Sequence, residues 1–331
     1  MLIKMIAIMA FVTAFAGTIP AFATPRTPGF NEVERCRKNN DPFAVPAYVF
    51  GLLPGEGRDG PIGRRILKPS DTGTCVDQQD YRPILTLSDE EASAYGFENR
   101  SDRISVANVR AIDGWYTASI PFNAAREAFF LVIIRKMVVL GLRGSHAQLR
   151  IKFNEPVILT PQWPANPANR IETDELLFSA NPTGFDGPSR YNPIKNFDGS
   201  LLNARGIHTR EESLKHTFSD FYAKTEKQYN LDIAPWELAL YIKKYIERAA
   251  ETRLSQRFIL SHRNCDSTQF EILDSVLSHR YQMIQKPFDP EFAKQRLLER
   301  KLITENSELQ PFETEPWAQD VFAKYPRKDE E

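Results

Sequence analysis

The stretch that most restricts the fold runs from Ile104 to Thr160. Ile104, Val106 and Val109 open it, the segment Trp115 to Phe122 continues it, and Phe129 to Ile134 and Met137 to Leu142 are unbroken apolar runs. Arg135 and Lys136 part the last two runs, so together they are too short and too charged to cross a membrane. Farther on, Leu149, Ile151 and Phe153 alternate with Gln148, Arg150 and Lys152. A period of two is the mark of a strand with one face buried and one face wet, here entered through a glycine turn at Gly144. Asn154-Glu155-Pro156 reads as a turn into a second strand, Val157 to Thr160.

Helical spacing dominates the later part of the chain. Pro235 suits a first helical position, and Leu238, Ile242, Ile246 and Ala249 mark a core face with Tyr241 and Tyr245 at its margin. Glu237, Lys244, Glu247 and Glu251 mark the expected wet face. Phe270, Ile272, Leu273, Val276 and Leu277 predict a helix from about Ser267 to His279, with Asp266 or Ser267 as N-cap. Asp289-Pro290 starts another helix through about Leu302, and a charged tail follows. Nearer the N-terminus, Ser88-Asp89-Glu90-Glu91 is a capping box whose short helix Gly96 can end. Residues 161–206 carry six prolines and many Asn and Gly, which predicts a long loop, either a lid or an exposed insertion.

Lys4, the apolar run Met5 to Phe15 and the A-x-A motif Ala21-Phe22-Ala23 have the layout of a secretory signal, with cleavage expected after Ala23. The expected product is periplasmic or secreted and has no transmembrane anchor after cleavage. Export permits disulfides. Of the three cysteines, Cys36 and Cys75 share the Pro- and Gly-rich region of residues 24–80, and a bond between them would close a loop of about 40 residues, adding roughly 4 kcal/mol. Cys265 is then left over. Gly55-Glu56-Gly57-Arg58-Asp59-Gly60 lacks the G-K-[ST] ending of a phosphate loop and reads as a turn. With 42 Lys+Arg against 43 Asp+Glu, no bias points to nucleic acid or an anionic surface.

Cys265 falls at or just before a helix start, where backbone N–H groups and the helix dipole favour a thiolate. Thiol chemistry also needs a base. Of five histidines, His208 and His216 lie in polar sequence, His279 at a helix end, and His262 in the same turn as the cysteine. His146, at a strand start, is the better partner. No H-E-x-x-H, no zinc-type Cys/His spacing and no G-x-S-x-G occurs, so neither metal nor cofactor is expected. Strand-borne His before helix-borne Cys reverses the papain order.

The segments SHAQLRIKF and FILSHRNCDSTQF resemble the histidine strand and Asn-Cys helix start of permuted papain-like proteins. The closer resemblance is to the N-terminal periplasmic domain of the bacterial lipoprotein intramolecular transacylase family. Asp266-Ser267-Thr268 follow the cysteine, where that family shows threonines. The resemblance implies Cys265 as nucleophile, His146 as base and Asn264 as part of the catalytic motif. It fixes no third residue; Gln162 and Glu155 both lie where they could orient His146. It also implies an α+β fold with a circularly permuted papain-like core.

The expected division is a signal peptide at 1–23, a loop-rich region at 24–100, the core at 101–286 with its Pro-rich insertion at 161–206, and a helical C-terminal part with a charged tail at 287–331. The expected activity is acyl transfer or hydrolysis through a Cys265 thioester, with a lipoprotein or lipid ester as acyl donor. The alternatives are a cell-wall amidase or peptidase, and a non-catalytic envelope binding protein.

Overall fold

The computed structural model describes residues 67–69, 75–77, 81–111, 114–136, 143–162, 166–183, 202–218, 223–252, 256, 258, 264–277 and 290–325. The expected signal peptide, the glycine turn at 55–60, the run Met137 to Leu142, His262, His279 and Cys36 lie outside these residues, and the Cys36–Cys75 bond with them.

Strands β1 (Leu67–Pro69) and β2 (Cys75–Asp77) pair antiparallel as a separate small sheet. Strand β3 (Leu85–Thr86) leads into helix α1 (Asp89–Ala94), which carries the expected capping box: Glu91 N donates to Ser88 Oγ, and Ser88 N donates to the Glu91 carboxylate. Gly96, at φ +77, ends it in the left-handed conformation that glycine adopts without strain. Then come β4 (Ile104–Ala111), β5 (Gly114–Ile120), β6 (Ala125–Lys136), β7 (Arg143–Pro161), β8 (Ile171–Thr183) and β9 (Leu202–His208). After helix α2 (Arg210–Phe218) and strand β10 (Ala223–Asn230), helices α3 (Pro235–Thr252), α4 (Cys265–Val276) and α5 (Pro290–Glu299) follow. Strand β11 (Glu308–Leu309) and helix α6 (Pro316–Lys324) complete the described chain.

The large sheet has the order β11-β10-β6-β7-β5-β4-β9-β8, with β3 beside β4. It closes on itself because β8 also pairs with β7, so β7, β5, β4, β9 and β8 form a five-stranded barrel. A single long strand makes this possible. β7 runs 19 residues. Its first half pairs with β6 and its last residues with β5, while β8 lies along its other edge. The β7–β8 register shifts between Lys152 and Val157, where Asn154-Glu155-Pro156 bends the strand rather than ending it.

This closed barrel replaces the expected papain-like α+β core. Its last two strands come from the segment read as a loop: β8 and β9 lie within residues 161–206 and the two positions after it. The expected helical C-terminal part is also corrected. β11 pairs with β10, and Phe312, Ala318 and Val321 of the supposed tail are buried against Leu131 and Leu214. An apolar cluster on the sheet's outer face therefore holds this segment down.

The core lies between the barrel and its helices. Val106, Ala118, Leu149, Phe178 and Ile207 meet Leu238, Ile242, Phe270 and Leu273 in one continuous cluster. α3 follows its predicted period, but Tyr241 and Tyr245 are fully buried, with rings edge-on to Phe178. The Tyr245 hydroxyl donates to the carbonyls of Ser179 and Gly206, fixing the helix to β8 and β9. Glu237 is fully buried instead of wet, because its carboxylate accepts the Ala234 N–H at 2.9 Å and closes the helix start.

Candidate thiol site at the start of helix α4

Helix α4 begins two residues earlier than its apolar period predicts. Asn264, not Asp266 or Ser267, is the N-cap: its Oδ1 accepts the Ser267 N–H at 2.8 Å, and Ser267 Oγ accepts the Asn264 N–H at 2.9 Å. Asparagine followed three residues on by serine makes this reciprocal cap. Cys265 is therefore the first residue of the helix. The thiol is 3 % exposed and Asn264 equally buried. Thr268, one turn on, accepts a hydrogen bond from Asn203 Nδ2 on β9 at 2.9 Å, and Gln269 donates to the Phe178 carbonyl on β8 at 3.0 Å. These two bonds set α4 on the barrel.

Asp266, next to the thiol, is 5 % exposed. Burial pushes its carboxyl up to about 6, partly offset by the guanidinium groups of Arg296 and Arg300. Arg296 donates to its Oδ2 at 3.0 Å.

His146 lies at the start of β7, as expected, and is 6 % exposed. Its Nε2 is 3.0 Å from Ser179 Oγ and 3.2 Å from Gln148 Nε2. Ser213 of α2 donates to Gln148 Oε1 at 2.8 Å. Residues that alternate along a strand point to opposite faces. His146 is paired with Ile133, which belongs to the outer apolar cluster. Ala147 and Leu149 belong to the core that holds Phe270 and Leu273 of α4. The structure thus brings β7 and α4 together, but α4 packs on the Ala147–Leu149 face and His146 projects from the other.

Neither candidate third residue orients His146. Gln162 accepts from Arg82 at 3.3 Å and donates to Asn108 Oδ1 at 3.1 Å, while Glu155, 46 % exposed, pairs with Arg100 and Arg103. Two residues that do touch His146 are Ser179 and Gln148. Gln148 was visible only as a wet position in an alternating strand, and Ser179 lay in the Pro-rich segment with no signal to mark it. His208 ends β9, and its ring covers Gly206, where an added Cβ would meet Nε2 at 2.8 Å.

Among the described residues no cluster of three or more His, Cys, Asp or Glu could hold a metal, and no helix is long and apolar enough to cross a membrane. Comparison of the chain with protein-family models, with curated proteins and with solved structures finds no match.

Proposed function

We propose that the protein is an exported thiol-dependent acyltransferase or hydrolase that works through a Cys265 thioester, with a lipid or lipoprotein ester as acyl donor. The supporting observation is the position of Cys265 as the first residue of a capped helix, where the backbone presents donors that can hold an oxyanion. The His…Asn-Cys order, which resembles that of lipoprotein transacylases, supports the choice of donor. In this reading the thiolate adds to the ester carbonyl and the carbonyl oxygen takes up the charge. The tetrahedral adduct then expels the alcohol, which leaves with a proton. An acceptor amine or water next attacks the thioester and returns the thiol. The proton that the alcohol takes is the one the thiol gives up; His146, on the other face of β7, is not assigned to carry it.

The experiment offers purified protein a diacylated lipopeptide and, separately, a peptidoglycan peptide, with products followed by mass. Loss or migration of an acyl chain, together with an acyl adduct on Cys265, is the expected result. Cys265→Ser should lower turnover about a thousandfold or more. Amide cleavage would point instead to the cell-wall reading. A second reading, a non-catalytic binding protein, is favoured by one observation: the thiol is 3 % exposed. It predicts that alkylation of Cys265 occurs only on unfolding and that neither substrate changes.

A further inference from the structure

Strand β9 stops short of the strands beside it in the barrel wall. It lies between β4 and β8, parallel to β4 at Val109–Ile207 and Arg110–His208, and antiparallel to β8 from Thr183–Leu202 to Leu177–His208. At His208 it ends: the Thr209 N–H donates to the Arg110 carbonyl at 2.9 Å, and the chain leaves as α2. β8 reaches farther. Its first residues Ile171, Glu172 and Thr173 pair with Leu159, Ile158 and Val157 of β7 on one side. Among the described residues no strand lies along their other side.

A groove of ≈ 460 Å³ opens there. Its surface follows the pleat of β8. Ile171 stands opposite Leu159 and Thr173 opposite Val157, and both partners belong to the core, so these positions face inward. Glu172 and Asp174 project from the outer face. Ala111 and Leu159 give the groove a buried apolar floor, while Ile171 is 42 % exposed. Among the described residues only Trp236 and Leu309 are comparable large exposed apolar side chains.

The charge on the groove is lopsided. Arg210 is the one cation among its lining residues, and it is taken up by Glu175 and Glu211, each at 2.8 Å. Asp174, with a side chain 59 % exposed, keeps a 3.9 Å contact to Arg210. Glu172 has no ion pair among the described residues. Arg103, which senses Glu172, is itself held by Ser119, Glu155 and the Pro156 carbonyl.

We propose that this open edge of β8 is a docking site for an extended peptide segment of a partner protein, in which apolar residues alternate with lysine or arginine. The segment continues the wall where β9 leaves off and pairs with β8 through its backbone. Its apolar side chains enter the floor at Ala111, Leu159 and Ile171, and its cations meet Glu172 and Asp174. An acidic segment would set like charges against those two residues. Asn203, which meets helix α4 near Cys265, stands at the opposite end of β9, so docking leaves the thiol untouched.

The test titrates the full chain with a fluorescent hexapeptide of alternating lysine and valine, and with its glutamate–valine counterpart. The lysine peptide should saturate at one per chain and bind at least about tenfold more tightly than the glutamate peptide. It should slow amide exchange in residues 171–175 and leave β5 unchanged. Glu172→Lys combined with Asp174→Lys should reverse the preference between the two peptides. If that variant fails to fold, salt decides: wild-type affinity for the lysine peptide should drop several-fold between about 0.05 and about 0.5 M salt. Equal affinity for the two peptides, salt-independent binding or protection elsewhere on the chain would overturn the proposal. So would a dimer of this chain that protects the same residues without peptide. Absence of saturable binding would mean that the carboxylates serve only to keep strands off the edge, and would overturn it too.

Discussion

The two faces of the central sheet each bury an arginine–carboxylate cluster, and the clusters settle differently. On the outer face Arg150, 1 % exposed, bonds Glu175, Gln228 and Glu315 and lies between the rings of Phe129 and Phe312. Arg210 adds a second cation to Glu175 at 2.8 Å. Burial would raise the Glu315 carboxyl, but hydrogen bonds from Arg150, Trp317 and Gln228 overcome it and hold the group down at about 2. On the helix face Asp266 has one donor and rises to about 6. Net charge is similar in the two places. The number of donors aimed at the carboxylate separates them.

If donors decide, the outer cluster should be the harder to break. Arg150→Met leaves Glu175 with Arg210 alone and takes the guanidinium from Glu315, and should cost up to about 3–5 kcal/mol in urea unfolding, with part of it recovered when Glu175→Met is added. A loss under about 1 kcal/mol would show that the cluster is solvated and the contrast false. Leu149→Ala removes a fully buried side chain from the helix face of the same strand. It should cost about 2–5 kcal/mol, centred near 3, by leaving a cavity beside the core of α4; its unfolding midpoint set beside that of Arg150→Met ranks the two faces directly.

Acid and base should act on the clusters with opposite signs. Glu315 is depressed in the fold, so its contribution is present above about pH 4.5 and is lost as pH falls toward 2. Asp266 is raised, so its contribution is full below about pH 4 and is lost as pH climbs through 6, a change of about 2–3 kcal/mol. Urea midpoints between pH 4.5 and 7 should fall in the wild type and fall less in Asp266→Asn. A wild-type midpoint that rises over that range, with the variant parallel to it, would remove Asp266 from the account. The smallest effect expected is from Asn264→Ala: loss of the cap on α4 should cost about 1 kcal/mol, read as a lower thermal midpoint.

What could be read from the sequence was local. The period of Leu238, Ile242, Ile246 and Ala249 gave α3, the Ser88 box gave α1, and the alternation around Ile151 gave β7 with its two unlike faces. Asn264 and Cys265 were found at a helix start, displaced by two residues because the apolar period begins only after the cap. The barrel was hidden. β8 and β9 sit among prolines and asparagines, and their polar members Ser179, Asn203 and Arg205 find partners far away in sequence, at His146, Thr268 and Gln256. The same blindness concealed the neighbour of His146. Pattern recognition matched a strand histidine to a helix cysteine, while the pleat of β7 turns that histidine to the other face.

The parallel pairing of β4 with β9 has a consequence for how the chain folds. Val109 stands beside Ile207, roughly a hundred residues further along, and contacts of such separation form slowly because the intervening chain must first give up its freedom. The hairpins β4–β5 and β6–β7 can zip locally, but the ring cannot shut until β9 arrives. Until then the edges of β4 and β8 stand open as templates for foreign strands. The interval before closure is thus the period of greatest hazard, and a chaperone that shields strand edges would raise the yield of this protein more than one that shields helices.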